Sequence, residues 1–373
     1  MLTPRRTAWL LLAFWLPFIA VRALAAQLTP PRETPMPARV VLENVDRYRV
    51  IEPLFEGVRV ILSYRGEKYS PAYLQGISGA AFRIGGPCPC APTCEFAMST
   101  DDLIHMLGYE CERGPLFAEG KEPEALYPSV LARIKEEIRA GRPALVWNAF
   151  TVAEFDVVCG FDEEKKEVIG RGSYKGMDGY ATAPETRPTE HDVAPAIGAI
   201  FIGKKVKDFD ARAAETAALK EAVAHARGSS GTLDCLPTGI ACYDYWINAY
   251  RNRGKLMRAK TRDGKQDLDW VAAQTPDDYY PLIILPSTRQ AAAEFLREIA
   301  PSYPQAKAHL EAAAGHFAAE SAALSSCQNL LGDREKGITD EQCIRAAAYL
   351  SEARAMYQLG IEEIERSLRD LPG

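Results

Sequence analysis

The densest set of chemically capable side chains in the chain is Cys88-Pro89-Cys90-Ala91-Pro92-Thr93-Cys94, followed by Cys111. Four thiols in that arrangement could close a tetrahedral zinc site, form two disulfides, or supply one reactive thiolate. A single proline between the first two cysteines hinders both from wrapping one ion, so the spacing favours disulfides over zinc. His105 lies between Cys94 and Cys111, but no acid at a fixed offset orients it for a thiol–imidazole dyad. His191, His225, His309 and His316 are scattered without ligand spacing and read as surface or packing residues. Of the nine cysteines, Cys159 alone stands inside an apolar run and is expected to be a buried, inert thiol. Cys327 and Cys343 are expected to bridge a helical hairpin, with Cys235 and Cys242 as an analogous pair at the start of an aromatic-rich helix.

The N-terminus bears on the redox setting of those thiols. Arg5 and Arg6 give a positive start, Thr7 to Val21 an apolar run, and Ala23-Leu24-Ala25 or Leu24-Ala25-Ala26 a small-residue cleavage site. Residues 1–26 are therefore expected to be a signal peptide, and the protein to be exported to the periplasm or beyond, where disulfides persist. Pro17 and the shortness of the run argue against a spanning helix, which needs about 20 apolar residues. A membrane contact is expected only if the segment stays uncleaved, and no cysteine stands near the site to make a lipoprotein. Cleavage removes Arg5, Arg6 and Arg22 and no acid, moving the net charge from −6 to −9. So acidic a chain disfavours nucleic acid as a partner. The one basic run, Arg251 to Arg262, lacks interleaved aromatics and reads as a solvated helix end and loop.

The elements that must position these groups follow from periodicity. With 373 residues, 47% hydrophobic and 25% charged, the chain has the make-up of a soluble globular protein of two domains. Residues 27–50 open with Pro30, Pro31, Pro35 and Pro37 and enter a strand at Val40-Val41-Leu42. Leu54, Val58, Ile61 and Leu62 recur at helical spacing, predicting a helix over Pro53–Tyr64. A short helix is expected from Asp101 to Met106 and another from Ser129 to Ala140, closed by Gly141 and Pro143. Strands then follow from Ala144 to about Ile202, an order that suits an α+β domain over 51–205. Beyond Gly203–Asp208 the pattern turns helical through 206–373. Helices are expected over Ala211–Ala226, from Thr238 to about Arg253, from Ala291 to Ala300 behind a Ser287–Gln290 capping box, from about Gln305 to Cys327, and from the Thr339–Gln342 box to about Leu368.

Several stretches carry a resemblance. They are Leu74-Gln75-Gly76-Ile77-Ser78-Gly79-Ala80-Ala81-Phe82-Arg83, Leu107-Gly108-Tyr109, Gly141 to Trp147, Phe155 to Asp162 and Val168 to Tyr174. Together they resemble the N-terminal domain of the butirosin-biosynthesis acyltransferase-like family, itself related to papain-like cysteine peptidases that process bacteriocins. Gly239-Ile240-Ala241-Cys242-Tyr243-Asp244-Tyr245-Trp246, Ser287 to Leu296 and the final helix look like the helical second half found there. The resemblance implies a papain-like α+β domain followed by an all-α domain. It also implies a nucleophile near Glu52 to Glu56 and a histidine at Phe155 or Asp156, with an orienting acid near Gly170-Arg171-Gly172; none of these positions carries the required residue. The expected reading is a non-catalytic binder of a small molecule or peptide in a degenerate cleft, without a cofactor. Glu56 and Asp156 remain as a carboxylate pair, and Trp147 and Tyr174 as ligand contacts. The alternatives are a thiol-dependent acyltransferase or hydrolase with a relocated nucleophile at Cys88, Cys90, Cys94 or Cys111, or a scaffold protein.

Overall fold

A computed structural model describes residues 37–85, 98–115, 123–151, 154–173, 178–185, 198–228, 238–252, 280–332 and 338–371. The expected signal peptide, Cys88, Cys90, Cys94, Tyr174, Cys235 and the basic run beyond Asn252 lie outside these residues. The described residues from Arg39 onward belong to one compact unit.

Strand β1 (Arg39–Val41) leads through an irregular strap, residues 42–50, into helix α1 (Pro53–Tyr64). Helix α2 (Pro71–Ile77), a 3-10 turn (Ala80–Phe82) and α3 (Thr100–Met106) follow, then β2 (Tyr109–Gly114) and α4 (Pro123–Arg139). The strands β3 (Ala144–Trp147), β4 (Phe155–Asp162), β5 (Glu167–Arg171), β6 (Ala181–Pro184) and β7 (Ala199–Lys205) complete an antiparallel sheet of order β2-β7-β3-β4-β5-β6. β1 pairs with the far end of β4, Val40 opposite Phe161. The C-terminal region is helical: α5 (Ala211–Ala226), α6 (Gly239–Asn252), α7 (Tyr280–Ile299), α8 (Lys307–Leu331) and α9 (Asp340–Asp370). The fold is thus mixed α+β with a helical C-terminal region.

Alternation along β4 explains how the layers stack. Phe155, Val157 and Cys159 face the core that holds α1 and the C-terminal helices, while Val158 and Phe161 face a smaller core under α4 with Val130, Ile134 and Ile138. The parity shift between Val158 and Phe161 coincides with a bulge opposite β5. α1 buries a run in which Val58, Val60, Ile61 and Leu62 are wholly inaccessible, and Pro53 at its first turn costs no hydrogen bond.

Three local expectations are corrected. Ser287 caps no helix: α7 begins at Tyr280 and carries Pro286 within it, and the Ser287 hydroxyl instead accepts the Ile51 N–H at 3.0 Å. Likewise α4 begins at Pro123, ahead of Pro128, and not at Ser129. No disulfide joins Cys327 to Cys343. The helix runs on from Cys327 to Leu331, and the Cys327 thiol lies 4.0 Å from the Ala346 carbonyl, one turn along α9 from Cys343. The Thr339–Gln342 box forms as expected, with the Thr339 hydroxyl accepting Gln342 N–H at 3.2 Å.

Candidate functional site

The positions that the resemblance singles out converge where the N-terminus of α1 meets the start of β4. Glu52 is the N-cap of α1, extended at φ −154° and ψ 106°, and is fully buried. Its carboxylate accepts the N–H groups of Leu54 at 3.1 Å, Phe55 at 2.9 Å and Glu56 at 3.3 Å, and the Gln75 side-chain amide at 2.8 Å. Burial drives its pKa up to about 7 against the pull of those four donors. Glu52 is therefore a structural cap.

One turn on, Glu56 is also wholly buried. Its Oε1 accepts the Arg49 N–H at 2.8 Å and the Arg59 guanidinium at 2.7 and 2.8 Å, while Oε2 is buried without a donor. Burial raises the Glu56 pKa against the Arg59 charge. Arg59 reaches on to Asp46 at 2.9 Å and to the Arg47 carbonyl at 2.9 Å. At Asp46 burial opposes ionisation, but Arg49 and Arg59 outweigh it and hold the pKa at about 2.

Asp156 serves different partners. One oxygen accepts the Phe150 and Thr151 N–H groups at 2.7 Å each, and the other accepts the Ser173 N–H at 2.9 Å. These bonds fold the β3–β4 loop, in which Asn148 takes a left-handed φ of 56°. Burial lifts the Asp156 pKa to about 6 despite them. Glu56 and Asp156 thus hold separate sets of groups, and among the described residues no hydrogen bond joins them.

Between the two stands Tyr48, which sequence reasoning did not single out. The half-buried ring points its hydroxyl inward, donating to the Phe155 carbonyl at 2.9 Å. Burial, then the carboxylates of Asp156, Glu56, Glu52 and Glu154, push the phenol far above its ordinary pKa, so it stays protonated. Gly57 makes room for it: a Cβ there would meet the Tyr48 hydroxyl at 2.7 Å and Leu145 Cδ1 at 2.3 Å. The Arg-Tyr-Arg triplet just ahead of the helix is the only sequence signal for this role, and it is not a specific one. The strap is fastened nearby by Arg171, which donates to the Val45 carbonyl at 2.7 and 2.9 Å, and by the Tyr180 hydroxyl, which accepts the Val45 N–H at 3.2 Å.

Trp147 ends β3 directly opposite Phe155, with the rings edge-on at 5.2 Å. It also lines a cavity of about 60 Å³ between α4 and the sheet, with Tyr127, Val146, Asn148, Ala183 and Pro184. That volume has room for a few waters or one small apolar group.

The described thiols are poorly suited to chemistry. Burial pushes Cys111, Cys159 and Cys327 each up to about 12, with Asp101 adding to it at Cys111, 3.4 Å away. Cys242 and Cys343 are buried too, and no disulfide links any pair of the described cysteines. His225 is buried, and burial followed by the Arg83 charge depresses its pKa to about 3. Its Nε2 accepts the Ile84 N–H at 2.9 Å, so it serves backbone and no thiol. Among the described residues no cluster of three or more potential ligands could hold a metal ion, and no helix is long and apolar enough to cross a membrane.

A second buried polar cluster, also missed from sequence, grips the segment after α2. Arg289 pairs with Glu320 at 2.6 Å and donates to the Ala81 and Arg83 carbonyls at 2.6 and 2.8 Å. Tyr243 donates to Glu320, and Tyr357 to the Phe82 carbonyl at 2.9 Å. No protein-family model matches this chain, and no curated protein matches it.

Proposed function

We propose that this is an exported, non-catalytic protein of papain-like fold, related to the butirosin-biosynthesis acyltransferase-like family, that binds a small molecule or peptide in the cleft between α1 and β4. The observation that carries the reading is Glu52. Where a papain-like enzyme would hold its nucleophile, this chain has a buried carboxylate whose oxygens face three backbone N–H groups and an amide. Asp156, at the position of the histidine, is committed to loop backbone in the same way. A nucleophile needs a base beside it and a base needs an orienting partner, and neither residue has such a neighbour. What remains for a ligand at this place is the aromatic pair Phe155 and Trp147, with the partly exposed ring of Tyr48 over the carboxylates, groups that suit binding more than turnover.

The test is brief iodoacetamide treatment of the native protein at neutral pH, read by peptide mass spectrometry. The expected result is no cysteine labelled stoichiometrically within minutes. Rapid labelling of one cysteine would replace this reading with a thiol-dependent acyltransferase or hydrolase and would name the nucleophile.

A further inference from the structure

We propose that the cleft is a built slot for a phenol, filled in the resting chain by Tyr48, and that the external ligand displacing it carries a tyrosine side chain flanked by positive charge. The proposal rests on the binding reading above and names the ligand class for the same cleft.

Four features of the slot point the same way. Its floor is Gly57, where any side chain would collide with the phenol oxygen. Its deep end is the Phe155 carbonyl, an acceptor that selects a hydroxyl over a bare ring. Its walls are acidic: Asp156, Glu56, Glu52 and Glu154 all act on the phenol, and Glu56 Oε2 is buried with no donor to satisfy it. A buried carboxylate oxygen left so is costly, and a cationic or N–H group brought by a ligand would relieve it. Finally, Glu56 Oε1 already reads backbone, accepting the N–H of the residue after the tyrosine.

The present occupant has the character of a tethered ligand. Tyr48 sits in a segment without ladder hydrogen bonds, between the exposed residues Arg47 and Arg49. Arg47 pairs with exposed Asp178 at 2.5 Å and Arg49 with Asp46 at 2.9 Å, while buried groups hold the backbone on either side of the ring: Arg59 donates to the Arg47 carbonyl at 2.9 Å and Glu56 accepts the Arg49 N–H at 2.8 Å, so a competitor that displaces the ring must release these bonds as well. Because the plug is covalently attached, it lowers the apparent affinity of any external competitor by the fraction of time the slot stands open.

The experiment pairs the wild-type chain with Tyr48→Ala and Tyr48→Phe. Thermal unfolding is followed with p-cresol or toluene added, and binding of the amidated tripeptide Arg-Tyr-Arg is measured by calorimetry. The expected result is that p-cresol raises the melting temperature of Tyr48→Ala but not of wild type, that toluene does so less, and that the peptide binds Tyr48→Ala at least about tenfold tighter than wild type. Should Tyr48→Ala fail to fold, Tyr48→Phe decides: without its bond to Phe155 the plug is weaker, and the peptide should bind that variant more tightly than wild type. Equal affinities would overturn the proposal. So would a folded Tyr48→Ala that p-cresol does not stabilise, a result that leaves ligand binding elsewhere in the cleft standing. Rescue by p-cresol with no peptide binding to any form would mean that Tyr48 is structural only, and would overturn both the tyrosine ligand and the cleft as its site.

Discussion

The Glu52 carboxyl makes the stability of this protein fall as pH rises through neutrality. Its pKa stands at about 7 in the folded chain against an ordinary 4.5, because burial penalises the anion more than four donors stabilise it. The folded state therefore binds the proton more tightly than the unfolded state does. Its contribution is fully present below about pH 4.5 and is lost as pH rises through about 7. At about 1.4 kcal/mol per pH unit, the displacement is worth about 3 kcal/mol. Asp156, lifted from 3.8 to about 6, acts in the same direction in a lower window. The assay is urea unfolding at intervals from pH 4.5 to 8 for wild type and Glu52→Gln. Glutamine keeps the shape but has one acceptor oxygen for the three N–H groups, so the variant should be weaker by about 1 kcal/mol or more at pH 4.5, where the Glu52 carboxyl is protonated. The decisive quantity is the difference between the two proteins, in which all other titrations cancel. It should move by about 3 kcal/mol in the variant's favour across that range, so that the variant becomes the more stable protein once Glu52 is ionised in wild type. A difference flat within about 0.5 kcal/mol, near the resolution of such extrapolations, would show that Glu52 is ionised throughout and refute the argument.

Further outcomes follow from the same geometry. Arg289→Met should cost about 3–5 kcal/mol, because it strands Glu320 and the Ala81 and Arg83 carbonyls without donors. Arg289→Met with Glu320→Leu should cost clearly less than the sum of the single changes, and strict additivity in denaturant unfolding would count against a coupled pair. Gly76→Ala should destabilise by at least about 1–3 kcal/mol, since its Cβ would meet the Phe295 ring at 2.1 Å. Phe295→Leu in the same chain should recover part of that loss, and no recovery would place the strain elsewhere. Non-reducing peptide mapping should return Cys327 unlinked, whereas a Cys327–Cys343 peptide would overturn the one-turn offset between α8 and α9. If the proposed export holds, mass spectrometry of the mature protein should find its N-terminus at Ala26 or Gln27, and intact Met1 in a soluble form would sink the signal-peptide reading.

Local signals in the sequence were enough for elements whose causes are local. The Leu54, Val58, Ile61, Leu62 spacing and Pro53 mark α1 from end to end, and Thr339 with Gln342 marks the start of α9. Of the runs Gly141–Trp147 and Phe155–Asp162, the first holds the strand Ala144–Trp147 and the second is a strand over its whole length. Prolines misled in two places: Pro128 and Pro286 look like helix starts, yet each lies inside a helix that tertiary packing carries through. Ser-x-x-Gln after a proline has the form of a capping box, but nothing near Ser287 reveals that its hydroxyl is spent on Ile51, 236 positions earlier. Glu52 was overlooked as a cap for a different reason: glutamate is not among the favoured N-cap residues, and its place depends on Gln75 arriving from another helix. The Cys327 offset is a matter of helix register, which composition does not encode.

The same accounting of polar groups applies to the α1–β4 site and to the helical region. A buried charge is tolerable only when its partners are fixed, and a side chain with fixed partners is not available to move a proton or attack a carbonyl. Arg289 has all three of its bonding nitrogens committed, to Glu320 and two carbonyls, and with Tyr357 and His225 it receives the backbone of residues 81–84 as that segment passes among the helices. Glu52 and Asp156 do the same service for the α1 N-terminus and the β3–β4 loop. Each of these residue types is common in active sites, and each here is used to hold irregular backbone that the sheet and helices leave without partners. Glu56 differs. One of its oxygens is fixed by Arg59 and the strap, while the other is buried without a hydrogen-bond donor. An unanswered buried acceptor costs stability in the resting chain, and it is relieved only by a donor that the strap does not supply. That asymmetry is what the proposed displacement of Tyr48 would draw on, with Glu56 as the acceptor a ligand's donor would meet.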